Sequence, residues 1–590
     1  MLEHSTFLQQ IVTISSVKGN DTAVVDALTC LSYSMLRRMS NSVAHYLIEN
    51  SSSSGMDGID GTGGGMVAII LPRTVDFPIA VLGVLKAGMA YVPLSIANSQ
   101  EYNRSVLLDS EPVAIISSSD VWDSFPDLQR DINTPIILLD KLDYNTIDDS
   151  DINLSEANKP AVLLYTSGTT GMPKAILHSM KSLSFMCECN KAGIDGKVNP
   201  GSEFVCVLDF CFIATVPDMF VALMTGGTCR IVPDNIIRDI DSLSALLKEK
   251  DVIHIVSVGH VVKALVSRDC GVRYYFSIGS RMPAMKRTVT SDTVVKNVYG
   301  MTEFGAGLAY CLNGNETFVP IGKPIPNTKV YLLDERLMPV KKGQIGEIFI
   351  SSDGLAIEYW HNAALTRECF LDCPFEPGKR MFRTGDYARQ LSTGDFIFCG
   401  RKDDLVKVNG IRLNTTDIEN AALSCNGISN VAVVVNNNGI LCLLYCGSAS
   451  RKDLLCELKS KIPSGMMPGY VARVGSIPVN HNGKIDRNAL KTLLSGTPSN
   501  TQVLDSVQES VLFAMRKVLG FNSMCLHDDF FDFGGNSLNV VNLISALPQL
   551  TLNVKTVYKE RTAERIAAAV SSEKVVMAVP NKERIPLSSF

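Results

Sequence analysis

Short apolar runs alternate with amphipathic stretches along the chain as far as about residue 400. Val67–Leu71 (VAIIL) and Ala161–Tyr165 (AVLLY) carry apolar side chains on both faces, as strands covered on both sides require. Ala80–Ala87 and Ile240–Glu249 place their apolar residues at helical spacing and are read as helices. Strands that alternate with helices predict an α/β class with mostly parallel, covered sheets. At 590 residues the chain exceeds what one hydrophobic core supports, so at least two domains are expected.

The pattern breaks twice. Ser51–Gly65 (SSSSGMDGIDGTGGG) has almost no apolar content and reads as a surface insertion without chemistry. Ser495–Gln502 (SGTPSNTQ) reads as a linker ahead of a short helical terminal domain.

Composition narrows the function classes. With 46% hydrophobic and 19% charged residues, the chain has the material for ordinary packed cores. A formal net charge of -5 supplies no basic field, so neither nucleic acid nor an acidic membrane surface is an expected partner. The most apolar region, Met66–Leu94, is interrupted by Arg73, Asp76 and Lys86, and no membrane span is expected. Residues 1–20 lack a basic segment followed by an apolar run, so no secretory leader is expected and the cytosol is the default compartment. The 16 cysteines are scattered; even Cys187 and Cys189 have no second pair or histidines at zinc-ligand spacing, and they read as reduced core thiols. Small-molecule chemistry is the class that remains.

The strand Ala161–Tyr165 runs into Thr166-Ser167-Gly168-Thr169-Thr170-Gly171-Met172-Pro173-Lys174. Glycines permit close backbone approach, hydroxyls donate hydrogen bonds and lysine supplies charge, which is what a loop wrapping polyphosphate needs. The order GxxxxGK[ST] is absent, so this is not a P-loop of nucleotide hydrolases.

This string resembles the phosphate loop of the adenylate-forming superfamily, which includes acyl-CoA synthetases and the adenylation domains of nonribosomal peptide synthetases. Further segments follow in family order. Lys86–Pro93 (KAGMAYVP) resembles the KAGxAYVP segment of the peptide synthetases, with Ser95 where an aspartate is usual. Asn297–Glu303 (NVYGMTE) matches YGxTE; the resemblance implies that Tyr299 lies against adenine and Glu303 at the magnesium, with Gly279, Gly300 and Thr302 also at the nucleotide. Arg383–Asp386 (RTGD) implies that Asp386 holds the ribose hydroxyls. Gly400–Asp403 (GRKD) resembles the hinge, with Arg401 at the nucleotide, Asp403 as pivot and Lys407–Arg412 as the swinging loop; Leu405 replaces the usual glutamine. Asn482–Arg487 (NGKIDR) resembles NGKxDR, whose lysine, here Lys484, reaches carboxylate and phosphate. Carboxylate attack on the α-phosphate brings two anions together, and Lys484, the Thr166–Lys174 loop and Mg²⁺ would offset that charge. Lys484, Glu303 and Thr166 are therefore the implied catalytic groups.

Asp528–Leu538 (DDFFDFGGNSL) resembles the carrier-domain motif in which Ser537 begins a helix and takes a 4′-phosphopantetheine arm; Asn536 replaces the frequent aspartate or histidine. A hydroxyl at a helix start, near positive backbone dipole, suits a phosphodiester. The resemblance implies a large domain at 1–400, a small mobile α+β domain at 401–494, a linker at 495–504, a four-helix carrier at 505–573 and a tail at 574–590. It also implies ATP, Mg²⁺ and phosphopantetheine as cofactors, and a phosphopantetheinyl transferase as partner.

Aligning Phe212–Phe220 on the family's FDxS-like segment puts Ile213 where an aspartate grips the substrate's α-ammonium. A charge facing Ile213 would be unpaired, so an ordinary α-amino acid is disfavoured. The same alignment assigns Ala214, Pro217, Val256, Phe276, Ile278, Val298, Ala306 and Gly307 to the pocket. The domain pair, Pro326–Asp334 and Gly534–Asn539 look most like the Ebony-type β-alanyl-amine synthetases, which also lack the usual aspartate but place an acid at the next position, here Ala214. β-Alanine is the expected substrate and an amine-free hydrophobic, aryl or short-chain acid the alternative. Arg584–Leu587 reads as the first residues of a downstream releasing domain, with another protein or a free amine that takes the thioester as the other routes of release. Two other classes are weighed: a ligase that releases free acyl-CoA, which has no need of Ser537, and a non-catalytic interaction protein, against which Lys174, Glu303, Asp386 and Lys484 all argue.

Overall fold

The computed structural model describes residues 6–52, 65–166, 174–194, 198–199, 201–279, 282, 285, 293–314, 316, 319–401, 405–408, 411–478, 487–494, 506–522 and 524–576. They form two compact units: Met1–Ala421 with Cys456–Met466, and Ala422–Leu455 with Met467–Phe590.

The first unit contains three large sheets. A seven-stranded sheet has the spatial order Glu358–Tyr359, Lys174–Ser179, Pro160–Thr166, Ala90–Leu94, Met66–Ile70, Ala114–Ser117, Ile136–Leu138, parallel from Pro160–Thr166 onward. Its central strands Met66–Ile70 and Ala90–Leu94 are buried at every position, which is why they read as unbroken apolar runs. A nine-stranded sheet runs Lys323–Pro324, Gly305–Cys311, Val294–Met301, Tyr274–Ile278, Val252–Ser257, Glu203–Cys206, Thr228–Ile231, Thr22–Val25, Cys30–Ser32, parallel through its centre and antiparallel at both edges. Helices from both sheets share one core that includes Phe7, Phe77, Phe204 and Phe220.

The third sheet departs from the parallel expectation. Thr328–Leu333, Ile345–Ser352, Arg380–Gln390, Phe370–Asp372 and Phe396–Arg401 pair antiparallel throughout. Between these strands lie only the two-residue strand Glu358–Tyr359 of the seven-stranded sheet and the short helix Ala363–Cys369, and without crossover helices the strands of this sheet pair antiparallel.

Helix Ile240–Glu249 runs as expected, with the Asp239 carboxylate accepting from the Asp241 and Ser242 amides. The helix expected over Ala80–Ala87 instead spans Asp76–Lys86. Pro78 lies in its first turn, where no amide proton is needed for the helical ladder, so the proline does not delay the start. Lys86 in the KAGMAYVP string is buried, its Nζ donating to Asn41 Oδ1 at 2.6 Å and Ser40 Oγ at 2.7 Å, and burial lowers its pKa to about 7. Its role here is packing. The helix Tyr33–Ser52 extends two residues into the expected insertion, of which 53–64 lie outside the described residues, as does the linker 495–504.

The second unit has a three-stranded sheet, Ile428–Val435, Leu441–Gly447 and Tyr470–Arg473. Helix Arg487–Leu494 and four further helices follow: Ser506–Leu519, Ser537–Ala546, Val554–Glu560 and Ala563–Val576. Sheet and terminal helices share one core, in which Val434, Ile440 and Leu444 pack in a cluster with Met515, Leu519 and Phe530. Asn436 donates to the Leu519 carbonyl at 2.6 Å, and Asn438 to those of Lys517 and Val518 at 2.7 and 2.6 Å, supplying donors to carbonyls that a helix end leaves unpaired. Tyr470 lies 4.5 Å from the Phe521 ring and 5.1 Å from that of Phe533, tying the loop before Ser537 to the sheet. No described helix is long and apolar enough to cross a membrane.

Candidate active site

Strands Pro160–Thr166 and Lys174–Ser179 pair antiparallel with Thr166 opposite Lys174, so the two ends of the expected phosphate loop are neighbours. The connecting residues, including Ser167, Gly168, Thr169, Thr170 and Gly171, lie outside the described residues. Lys174 Nζ is 5.9 Å from the centre of the Tyr359 ring, and the Tyr359 hydroxyl donates to Glu303 Oε1 at 2.8 Å. Tyr359 therefore links the loop's lysine to the buried carboxylate of Glu303. Sequence reading missed it, because it lies 56 residues from Glu303 with no motif around it.

Glu303 sits on the turn between strands Val294–Met301 and Gly305–Cys311. The preceding Thr302 carbonyl accepts from His178 Nε2 at 2.7 Å, so that nitrogen carries the proton of a neutral imidazole. Burial lowers the His178 pKa from 6.5 to about 4. Below pH 6.5 the unfolded chain binds a proton that the folded imidazole refuses until about pH 4, so stability falls as pH falls through that window. The loss is at most about 3 kcal/mol. Melting temperature measured from pH 7 to 4 should drop, and His178→Gln should flatten that segment; an identical slope in the variant would refute the assignment.

Tyr299 and Asp386, expected at adenine and ribose, are brought together: the Tyr299 hydroxyl donates to Asp386 Oδ2 at 2.6 Å, and both residues are buried. At Gly300 a Cβ would lie 2.0 Å from the Gly305 carbonyl oxygen, so only glycine fits. Gly279 follows the strand Tyr274–Ile278, and Arg401 pairs in register with Asp386 at the end of its strand, its side chain outside the described residues. Asp403 and Lys484 also lie outside them.

Eight of the nine expected pocket positions, Ile213, Ala214, Pro217, Val256, Phe276, Ile278, Val298 and Ala306, line a single cavity of about 390 Å³. Gly307 does not. Tyr299 pairs with Leu308 and Gly300 with Ala306, which leaves Gly307 as the extra residue of a β-bulge. A Cβ there would meet Phe304 and Ile350, away from the cavity, and this corrects the expectation.

The cavity also takes its wall from places that carry no motif: Met186, Cys189 and Asn190 on helix Met180–Ala192, Lys296, and Lys323–Pro326. No aspartate or glutamate is among its described lining residues, whereas two lysines are. Lys296 Nζ donates to the Gly193 carbonyl at 2.7 Å and lies 5.4 Å from the Phe276 ring centre. The Asp218 carboxylate stands behind the wall, not in it: it is fully buried, 3.4 Å from His254 Nδ1, and the His254 ring meets Phe276 edge-on at 4.9 Å. Burial raises the pKa of Asp218, and His254 opposes the rise.

In the second unit Ser537 is the first residue of helix Ser537–Ala546. The cap is Asn536, whose side chain accepts from the Asn539 amide at 3.0 Å, while Asn539 Oδ1 accepts from the Asn536 amide at 3.1 Å. This reciprocal box leaves Ser537 free of capping duty. The serine is partly exposed, and its hydroxyl has no hydrogen-bond partner among the described residues. Gly534, at φ 83°, makes the left-handed turn that leads into the cap.

Residues 13–360 match the family described as AMP-binding enzyme, and residues 509–570 match the phosphopantetheine attachment site. The dimodular nonribosomal peptide synthase of Bacillus subtilis (strain 168) is 29% identical over 95% of this chain and 24% of its own length. Tyrocidine synthase 1 of Brevibacillus parabrevis is 30% identical over 92% of this chain and 50% of its own. The chain thus spans no more than half the length of these two curated relatives, with 24% and 50% covered. The solved structure of holo-PA1221, a nonribosomal peptide synthetase protein containing adenylation and carrier domains bound to a vinylsulfonamide inhibitor, shares the fold: TM-score 0.80 at 24% identity, covering 96% of this chain and 97% of that one. The chain belongs to the AMP-binding enzyme family and carries a phosphopantetheine attachment site in the same chain.

Proposed function

We propose that the protein activates a carboxylic acid with ATP and loads it on a phosphopantetheine arm at Ser537. The observation that carries the reading is the partly exposed hydroxyl of Ser537 at a helix start, without a hydrogen-bond partner among the described residues, in the same chain as an AMP-binding domain. A carboxylate oxygen attacks the α-phosphorus of ATP, forming the acyl-adenylate and releasing pyrophosphate; the arm's thiol then attacks the acyl carbon, forming the thioester and releasing AMP. Lys174 and Lys484 offset the charge of the first step, and Asp386 takes the ribose hydroxyls. Mg²⁺ suits Glu303, because this ion is held by one or two carboxylates together with substrate phosphates. The ion would neutralise the phosphates at the attacked centre. The hinge at Asp403, the domain limits at residues 400, 494 and 504, and the cytosol as compartment belong to the same reading.

A free acyl-CoA product would leave Ser537 without a task, so loading in cis is favoured. A phosphopantetheinyl transferase must attach the arm, and an acceptor amine or downstream domain must take the acyl group. As to the acid, β-alanine would place its ammonium among Ile213, Ala214 and their apolar neighbours, with no carboxylate among the described lining residues. That observation favours the amine-free alternative over β-alanine. The test is intact mass of the pantetheinylated protein after incubation with MgATP and a panel of acids. An acyl increment with an amine-free acid supports the whole reading, an increment only with β-alanine restores the Ebony-like one, and none with any acid refutes loading.

A further inference from the structure

Resting on that reading, we infer that the activated acid is a dicarboxylic acid with a hydrocarbon body, whose second carboxylate is received by Lys296. The lysine's place comes from its strand. Burial alternates along Val294–Met301, and Lys296 and Val298 fall on the face that lines the cavity, as do their partners across the ladder, Cys311 and Ala309. Lys296 stands in register with Phe276 on one side and Cys311 on the other. Its backbone is therefore paired within the sheet, and the accessible surface of this half-buried residue belongs to its side chain, on the cavity face. Tyr299, expected at the nucleotide, lies three residues further along the same strand, about 10 Å away. Lys296 thus serves the end of the acid remote from the carboxylate being activated.

An ammonium has three donors, and Lys296 Nζ places one of them on the Gly193 carbonyl at 2.7 Å. Its other neighbour is the Phe276 ring, whose centre is 5.4 Å away. Neither supplies a balancing charge, and Lys296 forms no ion pair among the described residues. When an acid with an apolar body displaces water from the cavity, the charge is left against Ile213, Val256 and Ile278, and a desolvated charge without a partner is costly. The tail that removes this cost is an anion. A methyl end strands the charge. An ammonium end adds a second like charge, with no carboxylate in the described lining to balance either. A hydroxyl accepts a hydrogen bond but leaves the charge whole, whereas a carboxylate accepts from the remaining donors and neutralises the lysine. Lys323, the second lysine of the lining, is exposed and adds to the same positive field.

The experiment is ATP–pyrophosphate exchange by the full chain with matched probes: glutarate, adipate and suberate, the monocarboxylates of equal chain length, 6-aminohexanoate and β-alanine. The best dicarboxylate should exceed its monocarboxylate by about ten-fold or more in kcat/KM, as a desolvated charge that gains its partner requires. Lys296→Met, which keeps the reach and loses the charge, should bring that pair to within about two-fold by slowing the dicarboxylate, and Lys296→Gln should do the same if methionine disturbs the sheet. Lys296→Glu should invert the order, so that 6-aminohexanoate outruns adipate. A lysine needed only to hold the Gly193 carbonyl at the end of helix Met180–Ala192 would instead lower the melting temperature without exchanging the preferred tail. Equal rates for dicarboxylate and monocarboxylate in the wild type, a preference for either amino acid, no exchange with any dicarboxylate, or a dicarboxylate preference that survives these substitutions would overturn the inference. Acyl loading from the wider acid panel separates the two failures: if it persists, adenylation stands without this substrate class, and if it too is absent, adenylation falls with the inference.

Discussion

Ser537→Ala should abolish acyl loading completely while leaving acid-dependent pyrophosphate exchange at the wild-type rate. The two halves of this result separate the two chemistries. Exchange needs the carboxylate, MgATP, pyrophosphate and the groups that form the adenylate but no arm, whereas the thioester needs an arm bonded to the serine oxygen. Folding should be unaffected, since the helix is capped by Asn536 and Asn539 and Ser537 makes no hydrogen bond among the described residues. Alanine is moreover a favourable residue in the first turn. The readout is intact mass after treatment with a phosphopantetheinyl transferase and coenzyme A, then with MgATP and acid. A pantetheine increment that persists in Ser537→Ala would mean that another residue carries the arm.

Glu303→Gln should lower acid-dependent pyrophosphate exchange by about 100- to 1,000-fold, the usual cost of removing one charge-stabilising contact from a transition state. Glutamine keeps the carbonyl oxygen that accepts from the Tyr359 hydroxyl at 2.8 Å, so the buried turn retains that anchor while the charge is lost. The loss should be partly recovered at raised Mg²⁺ concentration, which separates a metal-binding role from a structural one. Unchanged exchange, or a loss matched by a lower melting temperature and insensitive to Mg²⁺, would remove Glu303 from the metal site.

Much of the candidate site was legible because its chemistry is local. The Thr166–Lys174 string follows directly from a buried strand, so its hydroxyls, glycines and lysine could be read in order, and the hairpin brings its ends together. Strand Val294–Met301 and its turn carry Tyr299 and Glu303 for the same reason. The cavity lined by Ile213 and Phe276 was only partly legible. Eight of its positions follow the family's register, but Gly307 is displaced by a bulge that period-two reasoning cannot foresee. Asn190 and Lys296 were missed because neither sits in a motif; a helix and a neighbouring strand bring them to the wall.

What the sequence by itself determined is thus the order of the chemical segments, the α/β alternation, and a serine at the start of a helix in a helical terminal domain. Those properties depend on residues adjacent in the chain: covered strands, helical spacing, glycine-rich turns. The tertiary structure alone decided which distant side chains meet. It set Tyr359 against Glu303, His178 against the Thr302 carbonyl and Asn436 against the last turn of a terminal helix. It also turned Asp218 away from the cavity toward His254, although Asp218 lies on the same helix as Pro217. Such pairings follow from burying apolar surface around a core, which brings distant segments together and leaves most buried polar groups to find partners across the fold rather than along the chain.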